Sequence, residues 1–199
     1  MKRPLALLLL FILLLPLLLA GCTAKPSEEE IFSEVERLVP ATVLINGVFL
    51  GEGIPTGGEA FDGYLYADEG WMAETGLGTV EALLSAAYAV YSDEVVSMLS
   101  RYACFNDEEE LPHYRNKATE DGLFVLAARQ GMYTGLTHEY LLDTLTLRSV
   151  GSRAATVELT VRITRSGETQ ERVLALPLVR EDDGWRLDKL TYVAFTDVD

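Results

Sequence analysis

Apolar residues recur at helical spacing in the first half of the chain and alternate with polar ones in the second. Ser27 and Glu30 form a capping box, and Ile31, Val35 and Leu38 follow on one stripe. This predicts a helix over 28–38, stopped by Pro40. Residues 42–50 are apolar and partly β-branched and read as a strand. Gly51, Gly53, Pro55, Gly57 and Gly58 make a connector that lacks the spacing of a phosphate-binding loop. A short aromatic strand is expected over 61–66, then an irregular stretch over 67–78. Thr79 caps a helix carrying Val80, Leu83, Leu84, Ala87, Tyr88 and Tyr91 on one side. Ser92, Asp93 and Glu94 start another, with Val95, Val96, Leu99 and Tyr102 as its apolar face, so the two read as an αα-hairpin.

Glu120-Asp121-Gly122 is a hairpin signal between extended segments at 113–118 and 123–127. Four strands follow at about 141–149, 154–165, 171–180 and 185–195, separated by turn residues such as Ser166-Gly167. Val157, Leu159, Val161 and Ile163 alternate with Glu158, Thr160, Arg162 and Thr164, so one face of this sheet meets water. Trp185 and Leu187 share one phase while Leu190 and Tyr192 take the other, which calls for a bulge near Asp188-Lys189. The fold class is α+β: N-terminal helices packed on a C-terminal antiparallel meander of four or more strands, in a single domain over 31–199.

The leader changes the picture of where the chain works. Lys2 and Arg3 precede an apolar run over 5–19, too short to span a bilayer, which ends in Leu19-Ala20-Gly21-Cys22. That ending resembles the lipobox of bacterial lipoproteins. The resemblance implies a signal peptide over 1–21, acylation of Cys22, and a short tether over 22–30. The chain is then expected outside the cytoplasm, lipid-anchored to the outer face of the cell membrane. Two or more acyl chains make such an anchor effectively permanent.

Without Lys2 and Arg3, 14 basic residues face 31 acidic ones, a net charge near −17. That balance disfavours nucleic acid and anionic headgroups as partners. It suits a cationic partner or one that recognises carboxylates, or it serves only for solubility. With Cys22 acylated, Cys104 is left alone and no internal disulfide is possible. A buried structural thiol is the expectation for it. No motif for a nucleophile–base set, a metal or a nucleotide is present, and His113 and His138 stand 25 residues apart, so no enzyme activity and no cofactor are expected. Two features remain as candidates for partner binding. Asp107, Glu108, Glu109 and Glu110 follow a helix in a loop that is either merely solvated or a binding element. Trp71 lies in the non-periodic stretch, either tucked over the core edge or offered to a partner.

The order of parts carries a second resemblance. Residues 61–66, 80–91, 120–126 and 184–192, ending in Gly184-Trp185-Arg186-Leu187, resemble the IseA-type inhibitors of DL-endopeptidases, over roughly 60–195. The Gly-Trp-Arg-Leu ending is shared with other cystatin-like and nuclear transport factor 2-like lipoproteins, and a lipobox departs from the soluble exported pattern of the family. The resemblance implies a cystatin-like fold and an inhibitor of NlpC-type cysteine peptidases that cut peptidoglycan stem peptides. The acids at 107–110 would steer docking, and Trp71 or its neighbourhood would anchor it. The alternative is a cystatin-like module whose wet sheet face, with Glu158, Thr160, Arg162 and Thr164, binds a small ligand or another envelope protein.

Overall fold

The computed structural model describes residues 25–58, 62–104, 111–117, 122–129 and 135–195. The leader, Cys22, Phe61, the acids at 107–110 and Glu120-Asp121 lie outside the described residues.

Helix α1 spans Glu28–Leu50, capped by the Ser27 side chain, which accepts from the Glu30 N–H at 3.1 Å. It continues through Pro40 and absorbs the segment expected as a strand over 42–50. The buried stripe explains this. Ile31, Val35, Leu38 and Val39 continue past the proline as Thr42, Ile45, Asn46, Val48 and Phe49, always three or four residues on. Pro40 itself is exposed, so its ring meets solvent. Burial of both half-stripes offsets the roughly 3 kcal/mol an internal proline costs.

Strand β1 (Tyr64–Tyr66) is shorter than expected. The stretch expected as irregular holds helix α2 (Glu69–Thr75), capped by Asp68 and closed by Gly76 at φ 72°. Helices α3 (Val80–Tyr88) and α4 (Asp93–Ala103) form the αα-hairpin, with Thr79 and Ser92 as N-caps. Tyr91 is not helical. It lies between the two helices in a parallel bridge to Leu187. Strands β2 (Tyr114–Asn116) and β3 (Leu123–Leu126) pair antiparallel, and β1 joins the other edge of β3, giving a small three-stranded sheet.

The C-terminal meander is a four-stranded antiparallel sheet in the order β4 (Leu136–Val150), β5 (Ala154–Arg165), β6 (Glu168–Glu181), β7 (Gly184–Leu187). Ser166 and Gly167, both at positive φ, make the two-residue turn whose twist matches the β5–β6 hairpin. The expected last strand over 185–195 ends at Leu187, and the chain leaves the sheet instead of bulging. Leaving frees the phase conflict: Thr191 is fully buried beneath β4 rather than hydrogen-bonded in register. The register shifts are in β4, between Leu141 and Thr146 and between Leu147 and Ser149, and at the first the Thr160 N–H donates to the Thr144 hydroxyl at 2.8 Å. Such a bulge bends the strand, and α1 packs on that bent strand and on β7.

One apolar core joins α1, both sheets and the αα-hairpin, built from residues such as Leu38, Ile54, Leu83, Leu99, Leu123, Leu159 and Leu187. Among the described residues no helix is long and apolar enough to cross a membrane.

Candidate functional site

Helix α4 buries Val95, Val96, Leu99 and Ala103 and turns Met98 and Tyr102 outward, 45% and 42% exposed. Tyr102 was expected on the apolar face; its neighbour four residues before, Met98, shares its solvent side. The chain returns after residues 105–110 at Leu111, which is 52% exposed. From there it is pinned. The Tyr64 hydroxyl donates to the Pro112 carbonyl at 2.8 Å, and the buried His113 ring meets Tyr102 edge-on with centroids 4.8 Å apart. In sequence, exposed Met98 and Tyr102 precede the segment that carries Asp107, Glu108, Glu109 and Glu110, and exposed Leu111 follows it.

Trp71 is not on a loop. It sits in α2, its backbone N–H donating to Asp68 Oδ1 at 2.8 Å, and its partly buried indole packs on the core. Beside it, Met72, Ala73, Gly76, Gly78, Thr79 and Ala82 line an open hollow of about 400 Å³. The N-terminus of α3 is held here by Asn116 of β2, which accepts from the Val80 N–H at 2.7 Å and donates to Glu81 at 2.8 Å. The second bond holds the Glu81 carboxyl below the ordinary carboxylate range.

The wet face expected for β5 is present. Glu158, Thr160, Arg162 and Thr164 are half-exposed opposite the buried Val157, Leu159, Val161 and Ile163. Arg162 bridges three strands, bonding Glu139 of β4 at 2.6 Å and Glu171 of β6 at 2.9 Å, and Arg148 pairs with Glu158. At the far end of the sheet an open groove of about 590 Å³ is lined by Tyr88, Asp93, Arg153, Arg180, Glu181 and Arg186 among others. Arg186 is buried there, its donors spent on the Tyr88 and Trp185 carbonyls and Asp183.

The buried polar groups around Asn46 bond one another. Asn46 accepts from the Tyr91 hydroxyl at 2.8 Å and donates to Thr191 Oγ1 at 2.7 Å; Thr191 in turn donates to Thr42. Burial pushes the Tyr91 hydroxyl up to about 12. Cys104 is buried at the end of α4, as expected, and burial, with the Glu81 charge second, pushes its thiol up to about 12. A thiol so hard to ionise is a poor nucleophile. Among the described residues no group of three or more His, Cys, Asp or Glu side chains is placed to hold a metal ion. Comparison of the chain with protein-family models and with curated proteins finds no match.

Proposed function

We propose that the chain is a lipid-anchored extracytoplasmic protein, held through Cys22, that inhibits an NlpC-type DL-endopeptidase of the cell wall by occluding its active-site cleft. The observation that carries this reading is the exposed Met98, Tyr102 and Leu111 at the two ends of the acidic segment 107–110. Carboxylates speed encounter through long-range attraction, while desolvated aromatic and apolar side chains supply most of the lasting affinity. The two kinds of group occur here within a few residues of each other. Tyr102 and Met98 suit the anchoring role better than Trp71, because more of their surface is open to a partner. The cystatin-like resemblance supports the same reading through the long helix on a bent antiparallel meander. Acylation of Cys22 rests on the lipobox alone; a Cys22→Ser chain that stays in the membrane fraction would remove it.

The deciding experiment is digestion of peptidoglycan by an NlpC-type DL-endopeptidase with and without the purified chain from residue 23 onward. Dose-dependent inhibition at near-stoichiometric ratio is expected. No inhibition across several such enzymes overturns the reading. Weight then passes to the binding module whose wet sheet face carries Glu158, Thr160, Arg162 and Thr164.

A further inference from the structure

Strand β6 contains seven consecutive apolar residues, 173–179. Leu174, Leu176 and Leu178 face the core and are buried. Val173, Ala175, Pro177 and Val179 therefore line the opposite side, next to Thr160, Glu158 and Thr156 of β5. Val173 is 69% exposed, the largest exposure among the big apolar side chains of the described residues, and Ala175 is exposed as well. A strand apolar on both sides is the pattern of a strand covered on both sides. Here one side is covered by the protein's own core and the other is open.

Charge selects what can cover it. The molecule carries a net charge of −15, so two copies repel through most of their surfaces. The outer sheet face is an exception. Its ion-pair ladder holds three carboxylates, Glu139, Glu158 and Glu171, and two guanidiniums, Arg148 and Arg162, all paired with one another. Such a nearly neutral face, its charges already met within one copy, repels a second copy less than the rest of the surface does. Three strands about 4.8 Å apart and about 35 Å long offer about 500 Å² per copy, or about 1,000 Å² per pair. That is at the threshold of about 1,000 Å² for a specific interface.

We infer that the outer face of β4–β6 is an isologous dimer surface, in which a second copy of this chain packs its sheet on Val173, Ala175 and Pro177. Two antiparallel sheets stacked face to face about 10 Å apart are a standard solution for covering such rows. The contact is independent of the inhibitor reading, since Met98, Tyr102 and Leu111 belong to different elements.

The test is site-directed cross-linking of the full-length chain in the membranes that carry it. Val173→Cys, Ala175→Cys and Thr160→Cys chains are treated with a short bis-maleimide, beside the parent chain and Met98→Cys as a remote exposed control. At least one of the three is expected to give a product of twice the chain mass, about tenfold above both controls. Adding Val173→Glu to Ala175→Cys or Thr160→Cys should reduce that product about tenfold, because each contact then buries unpaired carboxylates. Val173 is exposed, so that change leaves the fold intact, which an unchanged thermal midpoint checks. Three outcomes overturn the inference: no dimer product at any of the three sites, equal product at Met98→Cys, or a product whose mass reveals a different protein.

Discussion

Asn46 is the residue on which the helix, the αα-hairpin and the C-terminal segment meet. Its side chain bonds Tyr91 and Thr191, residues 45 and 145 positions away. Each of these groups is buried, so removing one partner strands the others without water. Asn46→Ala should therefore cost about 2 kcal/mol or more, leaving Tyr91 and Thr191 short of partners. Tyr91→Phe and Thr191→Val together should cost less than the sum of the two singly, since they share one network. Urea unfolding of the parent, the three single variants and the double variant checks both statements, and a strictly additive result would show that the network does not act as a unit. Buried acids set the pH dependence, Tyr114 among them, since burial above all pushes its hydroxyl up. Cys104 and Tyr91, pushed up to about 12 from ordinary values of 9.0 and 10.0, keep protons in the folded state that the unfolded chain releases. Their contribution is constant below about pH 9, and stability should fall as pH rises from there toward 12. Thermal midpoints measured from about pH 8 to 11 should decline, and Cys104→Ala should flatten the first part of that decline. The same burial predicts that Cys104 resists a maleimide at neutral pH until the protein is unfolded.

At the scale of elements, α1 and β4 each contain a local defect held in place by packing. Pro40 removes the N–H that would meet the Glu36 carbonyl, yet the helix continues for ten residues beyond it. Because Pro40 is exposed, Pro40→Ala should restore that bond without disturbing the core. A gain of about 1–3 kcal/mol in urea unfolding is expected. A loss would show that the core needs a bend at this point. The bulge in β4 has a different use. It bends an outer strand of 15 residues, and its Asp143 is exposed. Bends and charges on an outermost strand discourage pairing with a stray strand. The opposite edge is shielded, because the Val90 carbonyl accepts from the Leu187 N–H and the Ser92 N–H donates to the Leu187 carbonyl.

At the scale of the whole molecule, the excess of 31 acidic over 16 basic residues acts on association rather than on fold. If the acids at 107–110 steer docking, converting all four to amides should slow association with the target peptidase and flatten its salt dependence, with little change in the dissociation rate. Association rates taken across a salt series test this, and identical slopes for the two chains would sink the steering role. The candidate site was half legible in the sequence. The acidic run is visible by inspection, but Met98 and Tyr102 are not. Tyr102 follows Leu99 at helical spacing and reads as core until the turn of α4 against its neighbours is known. Trp71 was visible, but its helix was not, since seven residues are too short for a periodic pattern.

Local chemistry settled much of this protein before any long-range contact was considered. Caps at Ser27, Thr79 and Ser92, the alternation from Val157 to Ile163 and the Ser166-Gly167 turn are decided within a few residues, because they depend on nearest-neighbour hydrogen bonds and on which side of a strand meets water. They suffice for the α+β class. Tertiary structure decided the rest. Residues 42–50 carry β-branched side chains that suit a strand, and only burial against β4 and β7 makes them helix. The last strand stops at Leu187 because Thr191 is worth more in the Asn46–Tyr91 network than in a ladder. In both cases local preference amounts to a few tenths of a kcal/mol per residue, and burying a stripe or satisfying a network outweighs it.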